Sequence, residues 1–269
     1  MAKFDGVMLA CDMDGTLINS EFKVSRENTE AVRYFTDNGG SFTIATGRMI
    51  SAITMYTQQV SINAPIIALN GAVIYDMMQD KLLHSTPLGA DILEIVDGLR
   101  NHFTELGIEV FMPDKMYICQ GSYITRLHCE IINVPYIFTD IRMINGVCIK
   151  LNLTQKPDYL FKVEQYFNTH YPNAFYLVYS NPHYLEVLNI NANKGWGLNT
   201  VADILHISHE HVYAIGDSYN DIEMLNKAGF SFAPANAELP VKEAADILVS
   251  SNDEHAVQQV IEYLDRCYE

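Results

Sequence analysis

The sequence has 269 residues, of which 49% are hydrophobic and 19% charged, and its formal net charge is −16. This length is sufficient for one large or two modest globular domains, and the composition excludes a wholly disordered chain. The negative charge argues against nucleic acid or an anionic membrane surface as the main partner, although acidic residues could still hold a divalent cation.

The sequence also argues against a membrane or disulfide-bonded protein. No apolar run approaches the roughly 18 residues of a membrane span, and Asp5 interrupts any signal-like stretch at the start. The five cysteines are scattered and form no C-x-x-C pair, which favours buried free thiols over a disulfide framework or a zinc site. We therefore expect a cytoplasmic protein, and nothing in the sequence indicates its oligomeric state.

The first quarter of the chain alternates predicted strands and helices. Apolar runs predict strands at 7–11, 42–45 and 65–69, and helical patterns lie at 28–37 and 50–60. Ser25 is a candidate N-cap of the first helix, and Gly39-Gly40 is its expected stop. Asn70-Gly71 then predicts a tight turn into a returning strand.

The same alternation returns near the C-terminus. Strands are predicted at 212–215, 230–233 and 247–249, and helices at 195–205, at 221–228 and from residues 238 and 254 onward. Because parallel strands need crossover connections, the two blocks together predict a doubly wound, Rossmann-like α/β sheet covered on both faces.

The middle of the chain differs in composition from the two ends and is rich in Tyr, Phe and Ile. It offers helical patterns and strand-like runs typical of a smaller α+β unit. The helices are predicted at 92–106 and 158–169, and the strands at 108–112, 117–119, 148–153, 175–179 and 184–188. We expect a core of residues 1–81 and 189–269 with residues 82–188 inserted as a lid over the carboxyl ends of the core strands.

The strongest chemical signal is Asp12-Met13-Asp14-Gly15-Thr16, directly after the first predicted strand. The strand end places Asp12 at the crevice, and the loop can turn Asp14 toward the same point, helped by the backbone freedom of Gly15. Two carboxylates this close repel each other, so a site that uses both needs a cation or a shared proton. An acidic turn without function is the alternative, because turns favour Asp, Gly and Thr.

Two further segments could bind phosphate. Thr46-Gly47-Arg48 follows the second predicted strand, where a hydroxyl and free amides ahead of a helix form a neutral phosphate cradle. Lys194-Gly195 stands at the start of a predicted helix, where the lysine could bind phosphate and restrain a carboxylate. Cap chemistry and a solvated surface lysine are the respective alternatives.

The fourth segment is Gly216-Asp217-Ser218-Tyr219-Asn220-Asp221, after the strand at 212–215. Asp217 at the strand end and Asp221 four residues later could both supply hard oxygen ligands for magnesium. An N-capped helix start is the alternative. Four such elements in this order, each at a strand end or entering a helix, are much less probable by accident than any one of them.

These residues resemble the haloacid dehalogenase superfamily, and more closely its Cof-like, type IIB subgroup with a large α/β cap. The resemblance covers both core blocks, with segments 12–16, 46–48, 194–195 and 216–221 similar to motifs one to four. It departs at Pro234-Ala235 and His255-Ala256, where relatives usually have Met-Gly and Asp-Gly or similar pairs. The Cβ of Ala235 stands where backbone often approaches the site, so substrate scope or rate could change.

The resemblance implies a role for each motif residue. Asp12 would be the nucleophile that forms an aspartyl-phosphate, and Asp14 the general acid and base. Thr46, Gly47 and Lys194 would hold the phosphoryl oxygens. Mg²⁺ would be bound by the Asp12 carboxylate, the Asp14 carbonyl and Asp217, with Asp221 either a ligand through water or an orienting residue. Residues that could contact the substrate are Arg48, Asn70 and Asn220, with Tyr179, Ser180 and His183 from the lid.

The implied function is a magnesium-dependent phosphatase of small phosphorylated metabolites, such as sugar, nucleotide or cofactor phosphates. A phosphomutase and a regulatory protein that keeps only the phosphate site are alternatives. The presence of both Asp12 and Asp14 disfavours a pure binding module, and a receiver domain of about 120 residues would carry no lid. His206, His209 and His211 are spaced like metal ligands, but we interpret them as a solvated turn because no acid or cysteine cluster completes a zinc set.

Overall fold

The structure, a computed structural model, describes residues 2–89, 91–132 and 134–268. The chain forms two compact units. Unit 1 contains the described parts of Met1–Arg48, Ile53–His84 and Asn193–Glu269, and unit 2 those of Met49–Ala52 and Ser85–Ala192. In the described ranges, no helix combines the length and apolarity needed to cross a bilayer.

Strands and helices alternate along most of the chain. The strands are β1 (Met8–Cys11), β2 (Ser41–Ile44), β3 (Ile66–Ala68), β4 (Val73–Asp76), β5 (Lys81–Ser85), β6 (Gly107–Phe111), β7 (Met116–Gln120), β8 (Tyr136–Phe138), β9 (Lys150–Thr154), β10 (Phe175–Asn181), β11 (Tyr184–Asn189), β12 (Val212–Ile215), β13 (Phe230–Pro234) and β14 (Ile247–Val249). The helices are α1 (Arg26–Asp37), α2 (Ile50–Thr57), α3 (Ile92–His102), α4 (Tyr123–Ile132), α5 (Pro157–His170), α6 (Lys194–Leu205), α7 (Ile222–Lys227), α8 (Leu239–Ala244) and α9 (Ala256–Cys267).

Unit 1 is built on a five-stranded parallel sheet in the order β14-β13-β12-β1-β2. β1 is buried along its whole length, as expected for a strand with helices on both sheet faces. One face packs against apolar residues of α6, α7 and α8, while α1 and α9 pack together on β2 and β14. The predicted doubly wound α/β core is confirmed.

Local sequence explains where the elements of unit 1 begin and turn. The Ser25 hydroxyl accepts a hydrogen bond from the Asn28 N–H and caps α1, as predicted. β3 and β4 form an antiparallel hairpin through the predicted turn at Asn70-Gly71. The hairpin belongs to a separate three-stranded sheet, β3-β4-β5, and a single parallel bridge joins Ile67 to Ala45 after β2.

Unit 2 is an α+β sandwich with the strand order β10-β11-β9-β6-β7-β8. Its strands are antiparallel except for the parallel pair β7–β8. Alternate residues of β6, β9 and β11 form a core with α3 and α5, because successive side chains of a strand point to opposite faces. Helix α4 lies on the other face, where the hydroxyl groups of Thr125 and Thr154 are 2.7 Å apart.

Three features of the fold differ from the sequence prediction. The units divide after His84 and after Ala192, a few residues beyond the predicted junctions at 81/82 and 188/189, because β5 stays with its hairpin and β11 continues to Asn189. Helix α4 and strands β5 and β8 were not predicted. The first lid helix ends at His102 and not at residue 106, since Phe103 leaves the helical conformation.

Candidate active site

Three of the four predicted motifs start at the same edge of the parallel sheet. Cys11, the last residue of β1, pairs with Ile44 of β2 and Ile215 of β12. The residues that follow these strands therefore lie close together at one edge of the sheet. The chain adds β2 on one side of β1 and later β12 on the other side, and open α/β sheets bind ligands at such a switch point. Asp12 is anchored there by its N–H, which donates to the Ile215 carbonyl at 2.9 Å.

A buried lysine joins two of the predicted carboxylates. The Nζ atom of Lys194, at the first residue of α6, lies 2.5 Å from Asp12 Oδ1 and 2.6 Å from Asp221 Oδ1. The side chains of Lys194 and Asp221 are fully buried, and that of Asp12 is nearly so. The lysine is thus part of the acidic cluster and is not the solvated surface residue that the sequence left open.

Electrostatics of the cluster are dominated by burial. Burial and the charge of Asp221 hold the pKa of Asp12 well above its usual range. Burial and Asp221 also raise the pKa of Asp217 to about 7, although a Thr16 hydrogen bond opposes this rise. For Lys194, burial would lower the pKa, but the adjacent Asp12 and Asp221 carboxylates outweigh it and raise the pKa. The lysine therefore stays charged, while the carboxylates share an unfavourable excess of negative charge.

Asp221 binds the backbone and the lysine of this cluster. Its Oδ2 atom accepts hydrogen bonds from the N–H groups of Asp217 and Ser218, both at 3.0 Å, while Oδ1 faces Lys194. Both of its oxygens are therefore engaged by the protein. This arrangement fits the predicted orienting role of Asp221 better than a direct bond to a metal.

The acidic cluster could hold a metal ion, with Asp12 and Asp217 as direct ligands and Asp221 beside them. Asp12, Asp217 and Asp221 each offer an oxygen atom, and these atoms lie within 4.8 Å of one another; within the described ranges no other such group of His, Cys, Asp or Glu occurs. Hard carboxylate oxygens with excess negative charge fit a divalent cation such as Mg²⁺. The Asp14 carboxylate lies outside the group, which leaves its carbonyl as the predicted ligand.

Asp14 is paired with Arg48 on the outer side of the loop. The guanidinium donates from Nε to Asp14 Oδ2 at 2.8 Å and from Nη2 to Oδ1 at 2.6 Å. It also lies 5.3 Å from the ring centre of Tyr56. Asp14 keeps 51% of its side chain exposed, against 15% for Arg48. Arg48, predicted as a substrate contact, therefore orients the proposed general acid in this structure.

The predicted phosphate cradle is tied to the turn at Asn70. Thr46 is buried, its hydroxyl accepts from the Arg48 N–H at 3.2 Å, and its carbonyl accepts from the Asn70 N–H at 3.0 Å. Asn70 has a left-handed backbone, with φ of 54°. Its Oδ1 accepts from Asn220 Nδ2 at 2.9 Å, so these two predicted substrate residues contact each other. A Cβ at Gly47 would lie 3.2 Å from the Asn70 amide, which favours glycine there.

Three residues support the site without a role predicted from the sequence. The Thr16 hydroxyl donates to Asp217 Oδ1 at 2.6 Å, Tyr56 lies against Arg48, and Asn236 Nδ2 donates to the Gly15 carbonyl at 2.8 Å. Thr16 and Asn236 could have been found, because Thr16 closes the first motif and Asn236 follows β13 at the same sheet edge. Tyr56 carries no comparable signal, since an aromatic residue on a helix is more often a core residue.

The lid candidates have structural partners within unit 2. Tyr179 packs on the apolar core and donates to Glu164 at 3.0 Å, Ser180 donates to Glu186 at 2.6 Å, and His183 contacts the Gln155 carbonyl at 3.3 Å. Unit 2 also contains a buried ion pair, between Lys150 and Glu186 at 2.7 Å, that was not predicted. These two residues lie on neighbouring strands, and pairing between strands is not readable from sequence.

The histidines and the two departures from the family pattern can also be placed. His206 and His209 are exposed, and His211 Nδ1 contacts the Tyr268 hydroxyl at 2.8 Å, in line with a turn. Ala235 is exposed, and its backbone is not left-handed. His255 has φ of 64°, a left-handed conformation that a side chain disfavours.

One aromatic residue stands next to the site lysine in sequence. Trp196 lies in the first turn of α6, and its N–H donates to the capping Asn193 side chain at 2.8 Å. Its ring packs at 4.8 Å from that of His84, at the end of the hairpin sheet. The cap fixes the start of α6 and with it the position of Lys194.

Comparison with known proteins identifies the family. A family of haloacid dehalogenase-like hydrolases matches residues 9–261. A Bacillus subtilis 5-amino-6-(5-phospho-D-ribitylamino)uracil phosphatase, YcsE, is 29% identical, covering 95% of this chain and 94% of its own. Phosphatase YwpJ of the same organism is 27% identical over 96% of this chain and 99% of its own.

A solved structure shows the same fold. A haloacid dehalogenase-like hydrolase from Bacteroides thetaiotaomicron superposes with a TM-score of 0.86 and 23% identity, covering 96% of this chain and 99% of its own. The family match extends over nearly the whole chain and includes all four motifs, so the resemblance drawn from those motifs is confirmed. The chain belongs to the haloacid dehalogenase-like hydrolases.

Proposed function

We propose that this protein is a magnesium-dependent phosphatase of small phosphorylated metabolites that works through an aspartyl-phosphate on Asp12. The observation that carries the proposal is the buried cluster of Asp12, Lys194, Asp217 and Asp221 at one edge of the parallel sheet. The phosphatases YcsE and YwpJ, which are similar over nearly their whole length, support the reaction class.

The proposed reaction divides hydrolysis into two displacements. An Asp12 oxygen attacks phosphorus and forms the aspartyl-phosphate, while the ester P–O bond breaks and the leaving oxygen takes a proton from Asp14. Asp14 then removes a proton from a water molecule, which attacks phosphorus and releases inorganic phosphate and free Asp12. The two hydrogen bonds from Arg48 support this role, because they aim the Asp14 carboxylate without burying it.

The phosphoryl group would be held by groups that do not react. Lys194 supplies a fixed positive charge, and the Thr46 hydroxyl and the Gly47 amide supply neutral donors. The buried Oδ1 atom of Asn220 has no hydrogen-bond partner among the described residues. As an acceptor it would suit a hydroxyl group of the substrate or the attacking water, and not a phosphate oxygen.

The residues at the site fit a magnesium ion. The Asp12 and Asp217 carboxylates and the Asp14 carbonyl would hold it, and Asp221 would orient Asp217 through the hydrogen bond from the Asp217 N–H. A bound Mg²⁺ would neutralise charge that develops on the transferring phosphoryl group. Lys194 supplies one positive charge beside three carboxylates, which supports a bound cation that balances the remaining negative charge.

The proposed substrate class rests on the net charge of the chain, and the proposed location rests on its cysteines. The net charge of −16 disfavours nucleic acid and anionic membranes, so we propose sugar, nucleotide or cofactor phosphates as substrates. All five cysteines are free thiols, and the proposal accordingly places the reaction in the reducing cytoplasm.

The proposal is tested by phosphate release from a panel of sugar phosphates, flavin mononucleotide and pyridoxal phosphate with Mg²⁺. We expect Asp12→Asn to lower kcat at least about 1,000-fold, because the amide is a poor nucleophile. The exposed Asp37→Asn variant should retain activity. Turnover that is indifferent to Asp12→Asn or to chelation of Mg²⁺ contradicts the proposal, and a rearranged phosphate ester among the products would indicate a mutase.

A further inference from the structure

The sheet of unit 2 ends in an apolar strand that is open to solvent. β8 is the last strand in the sheet order, and Tyr136, Ile137 and Phe138 pair in parallel with residues of β7. All three side chains are exposed, at 49%, 50% and 67%. Because neighbouring side chains of a strand point to opposite faces, apolar surface is exposed on both faces of this edge.

Three other terminal strands carry features that protect against pairing. β10, at the opposite end of the same sheet, has an irregular register between Tyr179 and Asn181. β5 carries Lys81 and His84, and β14 follows Asp246 and has one strongly exposed apolar residue, Leu248. Bulges, charges, proline and very short length are the usual protections of edge strands. β8 is short and follows Pro135, but it contains no charged residue and its register with β7 is regular.

Exposed apolar side chains are concentrated in the chain segment that contains β8. Seven of the eighteen large apolar side chains that are exposed among the described residues lie between positions 123 and 147. They are Tyr123, Ile131, Tyr136, Ile137, Phe138, Met143 and Val147. Their exposed areas add up to on the order of 700 Å², which is the most that an interface centred on β8 could bury from them, against the roughly 800 Å² that each partner contributes to a standard interface.

Charge makes a second copy the suitable partner for this surface. The chain as a whole carries −16, but positions 114–147 are balanced, with three basic residues, Lys115, Arg126 and Arg142, and three acidic residues, Asp114, Glu130 and Asp140. Arg142 is neutralised by ion pairs with Asp97 and Asp140. Two copies can therefore meet here without the like-charge repulsion that the rest of the acidic surface would generate.

We propose that β8 and its flanking residues form the interface of a symmetric homodimer. Two β8 strands would pair antiparallel across a two-fold axis at Ile137, so that Tyr136 of one copy faces Phe138 of the other. In such an isologous contact, the backbone N–H and C=O groups on the unpaired side of β8 form hydrogen bonds with those of the other copy. The two sheets thereby join into one sheet of twice the width.

The first test is the mass of the full chain in solution by analytical ultracentrifugation. The unmodified protein should sediment with twice its 30.4 kDa chain mass at micromolar concentrations. Ile137→Lys should be a monomer, while Leu248→Lys, on an exposed edge strand of unit 1, should stay dimeric. A monomeric unmodified protein, a dimeric Ile137→Lys variant, or the loss of dimer in both variants overturns the proposal.

A second test fixes the register and does not depend on the folding of a lysine variant. In a Cys267→Ser background, Ile137→Cys should form a disulfide-linked dimer on mild oxidation, because identical residues face each other only at the axis. Tyr136→Cys alone should cross-link poorly, but a mixture of the Tyr136→Cys and Phe138→Cys proteins should yield a mixed dimer. Cross-linking by Tyr136→Cys alone that equals that of Ile137→Cys contradicts this register.

Discussion

Gly15 shows how closely the backbone of the first motif approaches the carboxylate cluster. Its φ is 80°, and a Cβ built on it would lie 2.4 Å from Asp217 Oδ2. An alanine there would have to displace the carboxylate that the Thr16 hydroxyl holds at 2.6 Å. The glycine is therefore required both for its backbone conformation and for the space beside Asp217.

We predict that Gly15→Ala lowers kcat at least about 100-fold, because a shifted Asp217 can no longer complete the metal site. Gly6→Ala is the matched control, since Gly6 has φ of 79° and a Cβ there would meet nothing within 4 Å. Both variants should lose about 1–2 kcal/mol of unfolding free energy from backbone strain. Steady-state kinetics and urea unfolding separate the two effects, and equal activity of both variants would contradict this argument.

Arg48 provides a second prediction for a single residue. Replacing it with Met removes both hydrogen bonds to Asp14, so the exposed carboxylate loses its orientation, and we expect kcat to fall about 10- to 100-fold. Inhibition by inorganic phosphate should change little, because phosphate binding is assigned to Thr46, Gly47 and Lys194. The exposed Arg33→Met variant controls for loss of a surface charge. A large rise in the phosphate inhibition constant with unchanged kcat would instead make Arg48 a substrate-binding residue.

The predictability of the site depended on whether a side chain stands at a strand end. Asp12, Asp217 and Asp221 could be predicted to meet because each stands at or just after the end of an apolar strand. Asn236 also follows a strand at this edge, but its hydrogen bond to the Gly15 carbonyl could not be predicted, since it depends on the strand order and on the loop geometry. Likewise, the pairing of Arg48 with Asp14 could not be predicted, because a basic side chain gives no sign of which acid it pairs with.

Among the elements, α9 begins with a strained residue. His255 precedes the first residue of α9 and holds a left-handed backbone with φ of 64°. Its imidazole Nδ1 is buried, has no hydrogen-bond partner among the described residues and lies 3.7 Å from the half-exposed Glu27 side chain. Such a partly exposed pair contributes little to stability. Helix α9 must nevertheless start here, because Ala256, Val257 and Val260 are buried in unit 1.

We therefore predict that His255→Gly stabilises the protein by about 0.5–1 kcal/mol. Relief of the left-handed strain exceeds the added flexibility of glycine in the unfolded chain. Thermal and urea unfolding measure the effect, and kinetic constants should stay unchanged. Gln259→Gly, inside the same helix, should destabilise by more than this amount, because it lowers the helix propensity and also removes the hydrogen bond that the Gln259 side chain accepts from the Ser250 N–H. A destabilised His255→Gly protein would show that the imidazole contacts matter more than the backbone.

Elements of unit 1 were predicted better than those of unit 2, for a physical reason. Continuous apolar strands such as β1 and β12 are buried on both faces and carry a clear signal. β8 has three residues, all exposed, and its length is too short for a periodic pattern. Helix α4 contains the β-branched residues Ile124, Thr125, Ile131 and Ile132, whose strand preference competes with its amphipathic helical pattern.

At the scale of the whole molecule, the carboxylate cluster links stability to pH and to metal. The pKa of Asp217 is about 7 in the folded protein, above its value in the unfolded chain. The folded state thus binds the proton more tightly, and the metal-free protein should lose stability as the pH rises from about 4 to about 7. Mg²⁺ competes with that proton, since it needs the ionised carboxylate.

We predict that Mg²⁺ raises the unfolding free energy more at about pH 8 than at about pH 5.5. Urea unfolding with and without Mg²⁺ at both pH values measures this difference. Asp217→Asn should raise the stability of the metal-free protein at the higher pH by about 1–3 kcal/mol and abolish most of the gain from Mg²⁺. A gain from Mg²⁺ that is equal at both pH values would show that the ion does not bind at this cluster.

The start of α6 also makes the molecule easy to observe. The chain has one tryptophan, Trp196, two residues after the lysine that joins Asp12 and Asp221. Its indole is half-buried against the ring of His84, so its emission depends on the packing around that helix turn. The unlabelled protein therefore carries a single tryptophan beside its proposed reaction centre, and stopped-flow fluorescence with excitation selective for tryptophan over the tyrosines offers a dye-free probe of ion or phosphate binding.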